Sequence, residues 1–436
     1  MGLTTRAEWH SLSWQNGGRK IAEFGWKLGR IPPPLSSHSD AKLRLIAEYL
    51  ERYFPATLVS RAQDRQRITL VDGFCGGGRF TQDGSIVRGT PFLFLDAVAK
   101  AERDANSGRG KPLVIDAEFH FVDSKKDHVE FLREELVKTG YVAKIGTSII
   151  LHHAPFEEAL PSILSRIEAR TRGGVGRSIF LLDQLGYSDV AFETVRRILR
   201  FRAAECILTF AVGWLIDYLD ERPQTVKRVA PVEISEDHIR EFLAMRDEWG
   251  GRYVIQRLLL RHIALATGAQ FQSPFFLRSK EARKDLWLLH LSNHLKARNV
   301  MVDSHWQINN QSLHQGHGGL EMLGFDPTLD TSTAPDFWFG NRDQQVLRER
   351  LAEDFLRRIR DRHFAATVPY LGFVTSIANE TPARLSDIDQ VTAFLVDEKE
   401  LDLRNANNSP KRTALPTYRD AIAAAREPRL WSFDRS

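Results

Sequence analysis

The sequence predicts an α/β protein: a Rossmann-like domain on a mostly parallel, doubly wound sheet closed by an antiparallel terminal hairpin, then a small C-terminal winged helix. Three observations carry this. Strand-like runs alternate with helical patterns from residue 67 to residue 212, a spacing that calls for parallel strands with helical crossovers. Two later apolar runs are separated only by the charged stretch "KEARK", too short for a crossover, so they pair antiparallel. Beyond residue 341 the periodicity reads helix, helix, helix, then strand, polar turn, strand.

In chain order, residues 1–34 hold Gly17-Gly18 and Pro32-Pro33-Pro34 and read as an N-terminal arm. A helix follows, with Leu43, Ile46, Leu50 and Phe54 on one face, Ser39 or Asp40 as its cap and Pro55 as its stop. Strands are expected at 67–72, 118–123, 148–153, 178–183 and 204–212, and helices near 90–105, 125–138, 156–170 and 189–201. The Rossmann-like domain spans 35–308, with a helical insertion about 214–268 and the hairpin formed by "FQSPFFLRS" and "DLWLLHLSN". Residues 309–340, rich in Gly, Asn and Thr, read as a linker. In the 341–436 unit, Leu347, Leu351, Phe355 and Ile359 mark one amphipathic helix, and Leu385, Ile388, Val391 and Leu395 another.

Composition bounds the function. At 436 residues the chain exceeds one ordinary domain. Its two cysteines, Cys75 and Cys206, exclude a disulfide framework and a Cys-rich zinc motif, and suit a reducing compartment. No apolar run reaches transmembrane length and the N-terminus lacks an apolar leader, so a cytoplasmic protein is expected. The net charge of +4 permits a nucleic-acid partner without requiring one. His152 and His153 are adjacent and point to opposite faces of a strand, and no other spacing suggests a metal.

Three of the five expected strands end in aspartate: Asp72, Asp123 and Asp183. In doubly wound sheets ligands sit outside the carboxyl ends of the strands. After Asp72 comes the glycine loop Gly73-Phe74-Cys75-Gly76-Gly77-Gly78, whose missing side chains admit a close neighbour. No Gly-Lys-Ser/Thr follows, and Thr81 breaks the full dinucleotide spacing. An acid before the loop repels a pyrophosphate and suits a cation. S-adenosylmethionine (SAM), with its sulfonium and ammonium, is such a ligand, and Asp123 is placed to accept both ribose hydroxyls. The terminal hairpin agrees, since class I methyltransferases end their parallel run that way.

The chain resembles the three-Cys-motif partner proteins (TcmP), a bacterial methyltransferase-like family. "SHSDAKLRLIAEYLERYF" is similar to the family's His-Thr-x-x-Lys-led helix, with Ser39 in place of Thr. "VDGFCGGGRF" resembles its Asp-x-Phe-Ala-Gly-x-Gly-Arg-Tyr loop, and "FLLDQLGYS" its Asp-Pro-Phe-Gly segment. "LHLSNHLKARNVMVDSHW" resembles its Asn-His…Met…Trp segment. "IANETPARLSDIDQVTAFLVDEKEL" is similar to the winged helix of some members. The resemblance covers about residues 30–405. It implies a partner encoded nearby, a radical-SAM-like three-cysteine protein with an iron–sulfur cluster, and a setting in mobile elements or phage defence. It implies no substrate.

The candidate site follows. Asp72, Phe74, Gly76, Gly78 and Asp123 would hold the cofactor. Phe156 either packs on adenine or belongs to the core. His38 and Lys42, four apart on one helical face, would close over the cofactor. Arg79 either contacts a substrate phosphate or caps the loop. Asn293 and His294 would line the pocket mouth. Asp183 and Tyr187 would face the substrate, with strand-end capping as the alternative for Asp183. Amino-directed DNA methyltransferases carry Asp/Asn-Pro-Pro-aromatic there; Asp183-Gln184-Leu185-Gly186-Tyr187 lacks both prolines, which weakens that chemistry. Cys75 reads as a small residue filling a turn rather than a reactive thiol. The C-terminal unit carries 16 Lys+Arg against 15 Asp+Glu, and its third helix holds Asp387, Asp389 and Asp397. Phosphate contacts need cations, which Lys411 and Arg412 of the wing would have to supply, so a protein-contacting role stands beside a DNA-reading one. The leading function is methyl transfer from SAM to an unidentified substrate, nucleic acid among the candidates. The alternative is a catalytically silent scaffold that acts through its winged helix.

Overall fold

The computed structural model describes residues 25–171, 176–184, 186–246, 248, 251–278, 285–308, 340–361, 367–411 and 415–425. The linker expected at 309–340 lies outside the described residues except for Gly340, as does all of the N-terminal arm before residue 25.

Helix α1 (Ser37–Thr57) leads in. Its cap is Ser36, three residues ahead of the expected Ser39, with the Ser36 hydroxyl accepting from the Ser39 N–H. Pro55 does not stop it; it sits in the last turn, where little helix remains to be broken. Then follow β1 (Arg65–Asp72), β2 (Arg79–Gln82), β3 (Ser85–Arg88), α2 (Thr90–Asn106), β4 (Val114–Asp123), α3 (Lys126–Lys138), β5 (Ile149–His153), α4 (Phe156–Thr171), β6 (Arg177–Leu182), α5 (Phe192–Leu199) and β7 (Ala204–Phe210). The small hairpin β2–β3, directly after the glycine loop, is not evident in the sequence pattern. The insertion is α6 (Val212–Tyr218), α7 (Pro223–Val229), α8 (Glu236–Arg246) and α9 (Gly251–Thr267). The hairpin β8 (Phe271–Arg278) and β9 (Asp285–Ser292) and helix α10 (Leu295–Ile308) complete the domain.

The strands form one sheet in the order β5-β4-β1-β6-β7-β9-β8. β5, β4, β1, β6 and β7 run parallel, and β9 is antiparallel to both β7 and β8. The expected hairpin is therefore present, inserted so that its second strand joins β7. Both faces are covered, as a parallel sheet requires. Along β6, Ile179 and Leu181 enter the core built with α1, α2, α3 and α10, while Phe180 and Leu182 enter the core built with α4, α5 and α6 through α9. Among the described residues no helix is long and apolar enough to cross a membrane.

The C-terminal unit contains α11 (Asn341–Asp361), β10 (Val368–Pro369), α12 (Tyr370–Ile377), α13 (Leu385–Asp397), β11 (Leu401–Arg404) and β12 (Ala421–Ala424). Its small sheet has the order β10-β12-β11, so the strand that pairs with β11 lies well beyond the polar turn after which the sequence suggested it. The unit is fastened to the larger domain. Val302 and Trp306 of α10 belong to its core. The Trp306 indole donates to the Pro382 carbonyl at 2.9 Å, and the buried Arg298 guanidinium donates to the Thr381 and Ala383 carbonyls. Asn379 caps the start of β8, accepting from the Gln272 N–H and donating to the Gln270 carbonyl, both at 2.9 Å.

Candidate functional site

The three aspartates sit at the carboxyl ends of three adjacent parallel strands, Asp123 on β4, Asp72 on β1 and Asp183 just after β6. Their environments differ. Asp72 is 2% exposed, and its carboxylate accepts from the Phe74 N–H at 3.2 Å. Burial drives its pKa up to about 8, against the pull of that one donor and with Asp183 and Asp123 adding repulsion. Asp123 ties the glycine loop to β4: its Oδ2 accepts from the Gly76 N–H at 3.0 Å, and its Oδ1 from the Lys125 N–H at 2.8 Å. The His128 imidazole lies 3.1 Å from the same carboxylate. Asp183 is held by Lys42 of α1, whose ammonium meets both carboxylate oxygens at 2.6 Å, and by the Thr209 hydroxyl of β7 at 2.6 Å.

Helix α1 thus delivers Lys42 across 141 residues of sequence to the end of β6. The side chain of His38 lies outside the described residues. The turn after β6, where the resembled family has proline, is fixed here by the buried Gln184: its amide donates to the Thr209 carbonyl at 3.0 Å and accepts from the Val190 N–H at 2.9 Å. Two side-chain hydrogen bonds replace the constraint of a ring.

The glycine loop has an occupant. A Cβ on Gly76 would lie 2.6 Å from the indole of Trp26, and one on Gly77 closer still. The ring also stands edge-on to Phe80 and His128, with centroids 5.3 and 4.8 Å away, and its N–H donates to the Arg79 carbonyl. Gly78 adopts φ +70° and packs against Leu132 and Phe92. Trp26 was not among the residues that the sequence singles out; an isolated tryptophan in "EFGWKLGR" was the available signal.

The other candidates take the following places. Phe74 is partly buried against the core, its ring 6.2 Å from that of Phe156. Phe156 is 3% exposed and lies under Gly73. Arg79 is buried, its guanidinium 3.9 Å over the Phe92 ring and 3.2 Å from Glu135. Cys75 is buried within the loop, its N–H donating to the Val122 carbonyl at 2.9 Å, and burial pushes its thiol up. Tyr187 is buried in the core beside Phe210. Asn293 and His294 follow β9, whose end pairs with the start of β7, so they lie at the opposite edge of the sheet from the aspartates. There the Asn293 amide donates to the Leu199 carbonyl at 2.8 Å. The structure therefore brings Asp72, Phe74, Gly76, Gly78, Asp123, Lys42 and Asp183 to one edge. It leaves Asn293 and His294 far from it, and Phe156, Tyr187 and Arg79 packed inside.

A second polar cluster was missed. His120, fully buried on β4, lies 2.9 Å from His152 of β5 and 2.8 Å from Glu118, which Arg166 also binds. The i, i+2 pair Glu118 and His120 on one strand face was its signal. Among the described residues no group of three His, Cys, Asp or Glu is arranged to hold a metal ion.

On the third helix of the C-terminal unit, α13, two of the three acids, Asp387 and Asp389, are withdrawn from the surface. Asp387 is fully buried and bound by Arg384, Arg348 and Gln344. Asp389 accepts from the Tyr370 hydroxyl at 2.6 Å. The exposed face is Ser386, Gln390, Phe394 and Asp397, with no cation. Lys411 is paired with Asp420, and Arg412 lies outside the described residues.

No protein-family model matches the sequence, and no curated protein matches it. Solved structures that resemble it include the plantazolicin methyltransferase BpumL in complex with SAH, at 10% identity and TM-score 0.28 over 59% of this chain and 88% of that one. A putative O-methyltransferase from Klebsiella pneumoniae gives 13% identity and TM-score 0.27 over 60% and 92%. Protein LPL1258 from Legionella pneumophila gives 10% and 0.29 over 58% and 85%. Likenesses this distant add nothing to the strand order itself. Five parallel strands with an antiparallel hairpin strand inserted beside the fifth give the chain a class I methyltransferase-like fold.

Proposed function

We propose that this chain binds SAM at the carboxyl edge of β4, β1 and β6 and acts as a methyltransferase-like protein of the three-Cys-motif partner type. The observation that carries the reading is the trio of strand-end carboxylates beside a glycine loop, with the middle one, Asp72, buried and given a single backbone donor. A buried carboxyl so poorly supplied holds its proton until a cation is brought beside it, and the cofactor's ammonium is such a cation. The donor set fits the cofactor: Asp72 takes its cationic amino-acid end, Asp123 its ribose hydroxyls, and the Gly76–Gly78 backbone its approach. SAM supplies an electrophilic methyl group. Asp183, oriented by Lys42 and Thr209, is the polar group on the substrate side.

The proposed partner is the radical-SAM-like three-cysteine protein, and the proposed substrate class is nucleic acid, in a phage-defence or mobile-element setting. The proposed C-terminal winged helix meets protein rather than DNA, because the outer face of α13 offers Gln390 and Phe394 and no cation. A second reading, a silent scaffold, is favoured by two observations. Asp183 is already neutralised by Lys42, and Trp26 covers the glycine loop.

Calorimetric titration tests the first reading. Wild type binds SAM, and Asp123→Ala binds at least tenfold more weakly. Unchanged affinity in the variant removes Asp123 from the site, and no binding by wild type at millimolar ligand removes the cofactor.

A further inference from the structure

The glycine loop is shaped around a ring that belongs to this chain. The indole of Trp26 lies over Gly76 and Gly77, where it is the ring itself that leaves a side chain no room. Its edge meets His128, which itself contacts Asp123 at 3.1 Å. The ring therefore spans from the loop toward the carboxylate proposed for the ribose. A ligand resting on this loop and reaching Asp123 needs the volume that the indole fills.

The way Trp26 is held differs from a core tryptophan. It is only partly buried, and among the described residues its one hydrogen bond is the indole N–H to the Arg79 carbonyl. The chain that follows runs over the surface. Leu28 is 51% exposed and Ile31 83% exposed, large apolar side chains with no core to enter. Between them Gly29 takes φ +68°, with open space around its Cα. A turn closed by the Arg30 N–H on the Lys27 carbonyl at 3.0 Å follows, and anchoring resumes at the buried Pro32, whose carbonyl accepts from the Thr81 hydroxyl at 3.3 Å, and at Pro33 and Leu35, which exchange backbone hydrogen bonds with Thr81 of β2 at 2.9 and 2.8 Å. Trp26 thus hangs on a surface arm with a left-handed glycine between it and the next fixed point. That is how a hinge is built: a few residues absorb the backbone change, and a packed strand holds the far side.

We propose that Trp26 is a displaceable plug of the cofactor site, and that ligand binding swings the 26–31 arm off the glycine loop about the segment at Gly29. The inference rests on the cofactor reading above. It replaces the choice between open site and dead scaffold with an equilibrium between a closed form, which is the one seen, and an open form that binds. The apparent affinity is then lowered by the fraction of molecules with the arm displaced.

The test uses the full chain, S-adenosylhomocysteine as probe, and the variants Trp26→Ala and Trp26→Phe. Trp26→Ala is expected to bind on the order of tenfold or more tightly than wild type, because the closed form loses its plug. Trp26→Phe, which keeps a smaller ring, should fall between, and equal thermal unfolding temperatures for the three proteins show that folding is unaffected. Hydrogen exchange supplies a readout independent of affinity: adding the probe to wild type should speed exchange at residues 26–31 while slowing it at residues 73–80. Equal affinities for wild type and Trp26→Ala, or exchange at 26–31 that does not rise on binding, overturn the plug while leaving the cofactor site standing. Weaker binding by Trp26→Ala also overturns it, since Trp26 would then be a wall of the site. Absence of binding by all three proteins at millimolar probe overturns the cofactor reading and the plug with it.

Discussion

Asp72 and Asp387 are both buried aspartates, and they are supplied in opposite ways. Asp387, at the start of α13, is fully enclosed, yet Arg384, Arg348, Gln344 and the Arg384 backbone N–H all donate to it. Burial pushes its pKa up, but those donors outweigh it and the group ends below its ordinary value. Asp72 has the Phe74 N–H as its donor and two acids for neighbours, and its pKa rises to about 8. The first is a finished joint that seats α13 against α11. The second has no charged group bonded to it: the nearest ammonium, Lys42, favours its ionisation from a distance but is bonded to Asp183. An acid's burial alone does not separate structure from function; the count of donors around it does.

The comparison is sharpened first by Asp387→Ala. Removing the acid takes the shared acceptor from two part-exposed arginines, an amide and the backbone N–H at the start of α13, and the variant should lose about 2 kcal/mol of stability in urea unfolding. A loss under about 0.5 kcal/mol would mean that the joint is a surface pair in disguise.

Asp72→Asn should behave in the opposite sense. In wild type without ligand, Asp72 keeps its proton up to about pH 8 in the folded state but loses it near the ordinary value of 3.8 when unfolded. Between those values the unfolded state binds fewer protons, so stability falls as pH rises and levels off above about pH 8. Asp72→Asn removes that slope and should equal or exceed wild type in stability at pH 8. Parallel pH–stability curves for the two proteins would show that Asp72 titrates alike folded and unfolded, and a wild-type slope of the opposite sign would show it supplied as Asp387 is.

The smallest effect concerns the outer face of α13. The full chain should form no tight complex with duplex DNA at physiological salt, in a fluorescence titration, and Gln390→Ala should change nothing in that assay. Sub-micromolar, sequence-dependent binding that weakens in Gln390→Ala would make α13 a DNA reader.

Much of this was legible in the sequence for a physical reason. Parallel strands buried on both faces are continuous apolar runs, so β1, β4, β6 and β7 announced themselves, and the aspartates at the ends of the first three marked the edge where ligands sit in such sheets. What did not show were contacts made across long separations. Lys42 to Asp183, Trp26 to Gly76 and Asn293 to Leu199 each depend on how the elements pack. Asn293 and His294 misled because β9 runs antiparallel, which carries the end of that strand to the far edge. The acids of α13 misled for a related reason: helical spacing says which residues share a face, not which face another element covers. Gln184 shows the same limit, since the missing prolines could be read from the motif but not the buried amide that ties the turn to Thr209 and Val190.

The central claim is that Asp72 waits for a cation. Calorimetric titration of wild type with SAM at pH 7, repeated in two buffers of different ionisation heat, measures the protons exchanged on binding. A positive ligand beside Asp72 ionises it, so binding should release about one proton, and Asp72→Asn should release none. SAM binding that releases no proton from wild type, or no binding at millimolar ligand, would contradict the account.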